Sequence, residues 1–172
     1  MSRSGVFWFA LAGVFAVARW FLEFAEIQYY DPESFLDYSG VILQTGAGLA
    51  TGVALLVLWR DSPVRRGGFL IGLGGLAAIA QGLGNLFEDA FGWEWAVWGF
   101  FVGGVGMVIT LALAGILALS VRDPARSAGV FLLLGATGGM LGLGLPIMGI
   151  SWIAFGVWIH RRVKVPPLAP TT

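Results

Sequence analysis

Runs of apolar residues too long for the core helices of a small soluble domain constrain this chain most. Segments 4–27, 37–59, 66–87 and 93–121 are dominated by apolar side chains. Each has about the 20 residues that a helix needs to cross roughly 30 Å of hydrocarbon. The fourth is longer than the crossing requires, which predicts tilting or projection from the bilayer. Apolar residues make up 58% of the chain and charged residues 12%. A soluble protein of 172 residues has too little interior to hide that much apolar surface. A lipid bilayer solvates it instead.

Segment 127–160 sets the number of spans. As one helix it would be about 51 Å long, more than a steep tilt accommodates. Gly142-Leu143-Gly144-Leu145-Pro146 interrupts its middle, and this is a strong helix-breaking sequence. The segment therefore predicts a tight hairpin of two short spans, near 127–141 and 146–160, each about 23 Å long.

Charge sorting supports an even count. Arg3, then Arg60, Arg65 and Arg66, then Arg122 and Arg126, then Arg161, Arg162 and Lys164 occupy the N-terminus, two alternate connections and the tail. Basic residues near span ends favour the cytoplasmic side. Six spans put nine of the ten basic residues there, with both termini inside; five would leave the most basic segment outside. Eight of the ten acidic residues, Glu23 through Asp37 and Glu88 to Glu94, then gather on the opposite side. Trp8, Trp59 and Trp158 fall near the inner interface, and Trp20, Trp93, Trp95 and Trp98 near the outer one, as aromatic belts require. Arg3 and the small residues Ala16-Val17-Ala18 superficially resemble a signal peptide, but apolar and aromatic residues continue through Phe24.

Glycine accounts for 27 residues and lies within the apolar runs. The pairs Gly48/Gly52, Gly68/Gly72, Gly99/Gly103 and Gly135/Gly139 are four apart, and Gly75, Gly106 and Gly142 extend three of the stripes. Such stripes let helices approach closely, either inside one bundle or between copies. The segments beginning at Arg60 and Arg122 resemble one another, and Arg3-Ser4-Gly5-Val6-Phe7 echoes their ends. A two-helix unit used three times would explain this. So would shared helix-start chemistry, with Ser62 or Asp123 as N-cap and Pro63 or Pro124 following.

Several chemistries drop out. The chain lacks cysteine and has one histidine, His160, so thiolate catalysis, disulfides and Cys or His clusters are unavailable. Gly82-x-Gly84 and Gly142-x-Gly144 follow no strand and complete no nucleotide fingerprint. Ser151 and Thr110 have no evident base, and His160 reads as an interfacial residue at a helix end. No catalytic residue or metal site is assigned and no cofactor is specified. Zero net charge gives no pull toward nucleic acid.

The candidate polar site lies near the outer leaflet. Arg19, Glu23 and Glu26 share one face of the first span, and Gln81, Asn85 and Glu88 share one face of the third. Gln44 and Thr45 lie in the outer half of the second. Ionisable groups within a span are costly and mark candidate sites; local pairing and snorkelling to headgroups are the competing explanation.

The expectation is an all-α polytopic membrane bundle, residues 1–164, with six transmembrane helices in three hairpins and Gly-rich packing. A Pro-rich cytoplasmic tail, 165–172, follows. The expected setting is a plasma or inner membrane. The lipid bilayer is the expected partner, with a second membrane protein or further copies of the chain as possible additions. Two functions follow from this pattern: an assembly or binding subunit working through helix or lipid contacts, or a small-solute or ion transporter entered through the outer polar cluster. An enzyme is the least favoured.

Overall fold

The computed structural model describes residues 3–25, 32–61, 68–121, 125–137 and 144–163. Every regular element among them is helical. The helices are α1 (Arg3–Leu22), α2 (Phe35–Asp61), α3 (Gly68–Asn85), α4 (Val97–Leu119), α5 (Ala125–Ala136) and α6 (Gly144–Val163). Short 3-10 turns at Glu23–Ala25 and Glu94–Ala96 extend α1 and precede α4, and a π turn at Leu86–Ala90 extends α3.

Each helix packs on its neighbour in the chain, and α1 also packs on α6, so the six close a ring. Adjacent helices run antiparallel. Along α2 and α3, Gly48 faces Gly82 while Gly72 faces Trp59; along α3 and α4, Gly84 faces Gly99 while Gly74 faces Thr110. The α1–α6 closure follows the same rule, with Gly13 against Gly149 and Gly156 against Val6 and Phe9. This alternation carries Arg60, Arg126 and Arg161 to one end of the ring, the basic end. It carries Glu23, Asp37, Glu88, Asp89 and Glu94 to the other, the acidic end.

Four helical segments are long and apolar enough to cross a membrane: Ser4–Leu22, Phe35–Asp61, Gly68–Ala90 and Glu94–Leu119. The last two helices depart from the symmetric short hairpin expected from sequence. With 12 and 20 residues, α5 spans about 18 Å and α6 about 30 Å. The chain enters α6 at Gly144, ahead of Pro146. Proline is tolerated in a first turn because its missing N–H has no partner there, so Pro146 does not delay the helix. The sequence breaker at Gly142, the glycines Gly139 and Gly142, and the helix-start residues Ser62, Pro63, Asp123 and Pro124 lie outside the described residues.

The core concentrates near the α1–α6 seam. Phe9, Trp152, Phe155, Leu55, Leu111 and Leu132 are fully buried. The Phe9 ring lies 4.9 Å from Phe155 and 5.2 Å from Trp152, and Phe131 stacks on Phe155 at 5.0 Å. Close approach elsewhere depends on missing side chains. A Cβ on Gly103 would sit 2.5 Å from the Gln81 backbone nitrogen and 2.6 Å from the Ala77 carbonyl oxygen. One on Gly99 would meet ordinary contacts at 3.4 Å or more.

This contrast gives a paired prediction. Gly103→Ala should destabilise the detergent-solubilised protein by about 1–3 kcal/mol, because backbone must move to admit the methyl. Gly99→Ala should be neutral or stabilising by up to about 1 kcal/mol, since alanine is the better helix former. Thermal unfolding of the two variants side by side measures the difference.

Candidate functional site

The polar side chains of the acidic half form three successive layers in the ring interior. The first is at the mouth. Arg19, in the last turn of α1, is 7% exposed, and its guanidinium lies 3.5 Å from the Glu23 carboxylate one turn on. Glu23 itself is a third exposed. Glu88 and Asp89, in the extension of α3, are both half-buried, and the ion pair that Arg19 makes is with Glu23 on its own helix.

A π turn at Leu86–Ala90 follows Asn85. Its i→i+5 hydrogen bonding widens the turn and delays following side chains by roughly one residue. Glu88 and Asp89 lie side by side on this turn, neither of them fully buried. The turn ends at Gly92, whose φ of 66° suits glycine. The Gly92 N–H donates to the Glu88 carbonyl at 2.9 Å, and the Trp93 N–H to the Phe87 carbonyl at 3.0 Å. Phe87 and Trp93 then stack at 5.0 Å, and Trp95 continues the stack at 5.7 Å.

The second layer joins α2 to α3. Asn85 Nδ2 donates to Thr45 Oγ1 at 3.4 Å, and both residues are 7% exposed. The start of α2 is fixed by a reciprocal cap. The Asp37 N–H donates to Ser34 Oγ at 3.1 Å, and the Ser34 N–H to Asp37 Oδ2 at 2.9 Å. This S-x-x-D capping box is written in the sequence, and it explains why Asp37 is buried, at 6% exposure.

The third layer is a small chamber on the ring axis, about 20 Å³ in volume. Gln44, Gly48 and Thr51 of α2, Gln81 of α3, Met107 of α4, and Leu145 and Met148 of α6 line it. Gln81 reaches it one turn before Asn85, or about 6 Å further from the acidic end. Two of its oxygens, Gln44 Oε1 and Thr51 Oγ1, are buried and have no hydrogen-bond partner among the described residues. A buried polar atom left so costs about 1–3 kcal/mol.

Thus Gln44 and Gln81 meet at the chamber, Asn85 bonds to Thr45 between α2 and α3, Arg19 pairs with Glu23 at the mouth, Glu88 is half-buried on the π turn, and Glu26 lies outside the described residues. Thr51 belongs to the chamber although helical spacing did not single it out as a site residue. Thr51 carries a polar atom into an apolar run, a faint signal because a threonine hydroxyl in a helix commonly bonds back to its own backbone. Elsewhere in the bundle that occurs, with Thr110 Oγ1 donating to the Gly106 carbonyl at 2.7 Å, whereas Ser151 Oγ donates from α6 to the Phe131 carbonyl of α5 at 3.2 Å. Among the described residues no group of three His, Cys, Asp or Glu side chains is arranged to hold a metal ion. No protein-family model, curated protein or solved structure matches the chain.

The mouth layer yields a test. Glu23→Gln should lower stability by about 1 kcal/mol, by removing the carboxylate that lies 3.5 Å from the buried Arg19 guanidinium. Glu88→Gln should change it by less than about 0.5 kcal/mol, as expected for a group without such a partner. Chemical or thermal unfolding in the same detergent ranks the two.

Proposed function

We propose that this is a six-span integral membrane protein with both termini cytoplasmic, whose helices pack through small residues and which works as an assembly or binding subunit through its lipid-facing surface. The observation that carries this reading is the closed axis. Beyond the chamber, toward the basic end, fully buried Phe9, Leu55, Leu111 and Phe155 fill the interior. Among the described residues that layer is apolar, and many large apolar side chains are exposed on the outer faces of the helices. Of the four long segments, that of α4 is the least covered, 28% buried against 50% for α2. It presents Phe101, Val105, Ile109 and Ile116 outward, a stripe that suits a helix or lipid acyl chains.

Orientation follows from the charge sorting. The basic end suits the cytoplasm, and the exposed Trp93, Trp95 and Trp98 suit the opposite interface. The antiparallel α5–α6 pair adds the fifth and sixth crossings, with α5 short enough to thin the bilayer beside it.

A second reading is favoured by the chamber itself. Gln44, Gln81 and Thr51 converge at the foot of a polar interior, an arrangement that a scaffold does not need. In this reading the acidic half receives a small polar solute from outside.

The chain has no cysteine of its own, so single cysteines report cleanly. From outside intact cells, an impermeant maleimide should label Leu143→Cys, between α5 and α6, and should not label Thr172→Cys. Labelling of the tail with Leu143→Cys silent would replace six spans by an odd number. For the assembly reading, Ile109→Cys should form a disulfide-linked pair or cross-link to a neighbour in native membranes. Absence of any cross-link there and at Ile116→Cys would remove α4 as the contact face.

A further inference from the structure

We propose that the axial chamber is a binding site for one water-sized, uncharged, hydrogen-bonding molecule, water in the resting protein. The proposal deepens the second reading above, in which the acidic half takes a small polar solute. Three independent features meet in it. The first is volume. About 20 Å³ is enough to centre one water and too little for an organic solute. The second is unmet hydrogen bonding. Thr51 is fully buried, and its Oγ1 has no partner among the described residues. Gln44 Oε1, also buried, is in the same position. Apolar cavities of this size stay dry, but a chamber with several polar partners fills.

The third is the lining between these groups. Gln81 adds an amide from α3, so hydrogen-bonding groups come from two helices. Met107 and Met148, 3% and 4% exposed, close the chamber from α4 and α6. Thioethers accept hydrogen bonds only weakly, so the guest is held from the α2–α3 side. Among the described residues no carboxylate or cationic side chain lines the chamber, which selects against a bare ion: stripping its hydration would not be repaid by two amides and a hydroxyl. A neutral molecule that both donates and accepts fits the set. Water can donate to Gln44 Oε1 or Thr51 Oγ1, and it can accept from the Thr51 hydroxyl or an amide N–H.

The two methionines make the guest detectable. Radiolysis converts ordered water into hydroxyl radical in place; the radical adds to an adjacent thioether, and dissolved oxygen takes the second electron to complete the two-electron oxidation to the sulfoxide. In the full-length protein in lipid nanodiscs, brief X-ray exposure followed by mass spectrometry should oxidise Met107 and Met148 several-fold more than the equally buried Trp152. Thr51→Val, which keeps volume and removes the hydroxyl, should reduce oxidation of both several-fold. If that variant does not fold, Gln44→Leu should do the same. Methionines protected to the level of Trp152 in the unsubstituted protein would overturn the proposal outright. Oxidation unchanged in a folded Thr51→Val or Gln44→Leu protein would overturn the assigned hydrogen bonds. Stopped-flow shrinkage of proteoliposomes separates this from the solute reading. Oxidised methionines without faster water or ammonia flux support a bound structural water and remove passage. Protected methionines remove the guest whatever the flux.

Discussion

Closure of the ring by α1 against α6 is the contact on which the rest of the arrangement depends. A row of hairpins without it would expose one face of α1 and one of α6, and the interior polar groups would open onto lipid. Closure is possible because Gly13 and Gly149 let two backbones meet: a Cβ on either would come within 2.5–2.8 Å of the other's carbonyl oxygen. Toward the basic end, Gly156 keeps α6 close to Val6 and Phe9, and the Phe9, Trp152 and Phe155 rings pack beside it. Aromatic contacts of this kind contribute about 0.5–1.5 kcal/mol each beyond their buried area. An even number of alternating helices is also what brings the first and last side by side in antiparallel fashion, with the basic segments at one end.

The interior enclosed by that ring is graded. Charge sits at the mouth, with Arg19 and Glu23. Neutral hydrogen-bonding groups follow at Thr45 and Asn85 and at the chamber, and aromatic and aliphatic packing closes the remainder. This order matches the cost of burial. A charge is kept near the end where water or headgroups can reach it, and deeper positions carry only groups whose desolvation a few hydrogen bonds offset. The gradient serves a scaffold by locking helix rotation, and it serves solute binding by giving a polar molecule successive partners. The two uses differ in whether the chamber is wet and whether anything crosses the packed layer beyond it.

Much of the helix layout was legible in sequence because apolar run length is set directly by the crossing distance. The first four runs coincide with α1 to α4 to within a few residues at most ends. The last pair was legible only as a break, since Pro146 lies inside the first turn of α6 instead of starting it. In the site, Gln44, Gln81 and Asn85 could be named because amides are rare in apolar runs. The π turn at Leu86–Ala90 was not legible, because no local code marks it. Thr51 was hidden for another reason: a helical threonine ordinarily satisfies itself, and only the finished bundle leaves its hydroxyl buried without a partner among the described residues. The Ser34–Asp37 cap was fully present in the sequence and needed only to be read as a helix start.

Cross-linking across the closing seam tests ring closure most directly. A Cβ on Gly156 would lie 3.6 Å from the Phe9 Cβ, within the span that a disulfide bridges. In a chain without native cysteine, the Phe9→Cys/Gly156→Cys double variant should form an intramolecular disulfide in native membranes on mild oxidation. Cleavage in the 62–67 connection should then leave the two fragments joined until reductant is added. Fragments that separate without reductant, or bonds formed only between two chains, would contradict a ring closed within one molecule.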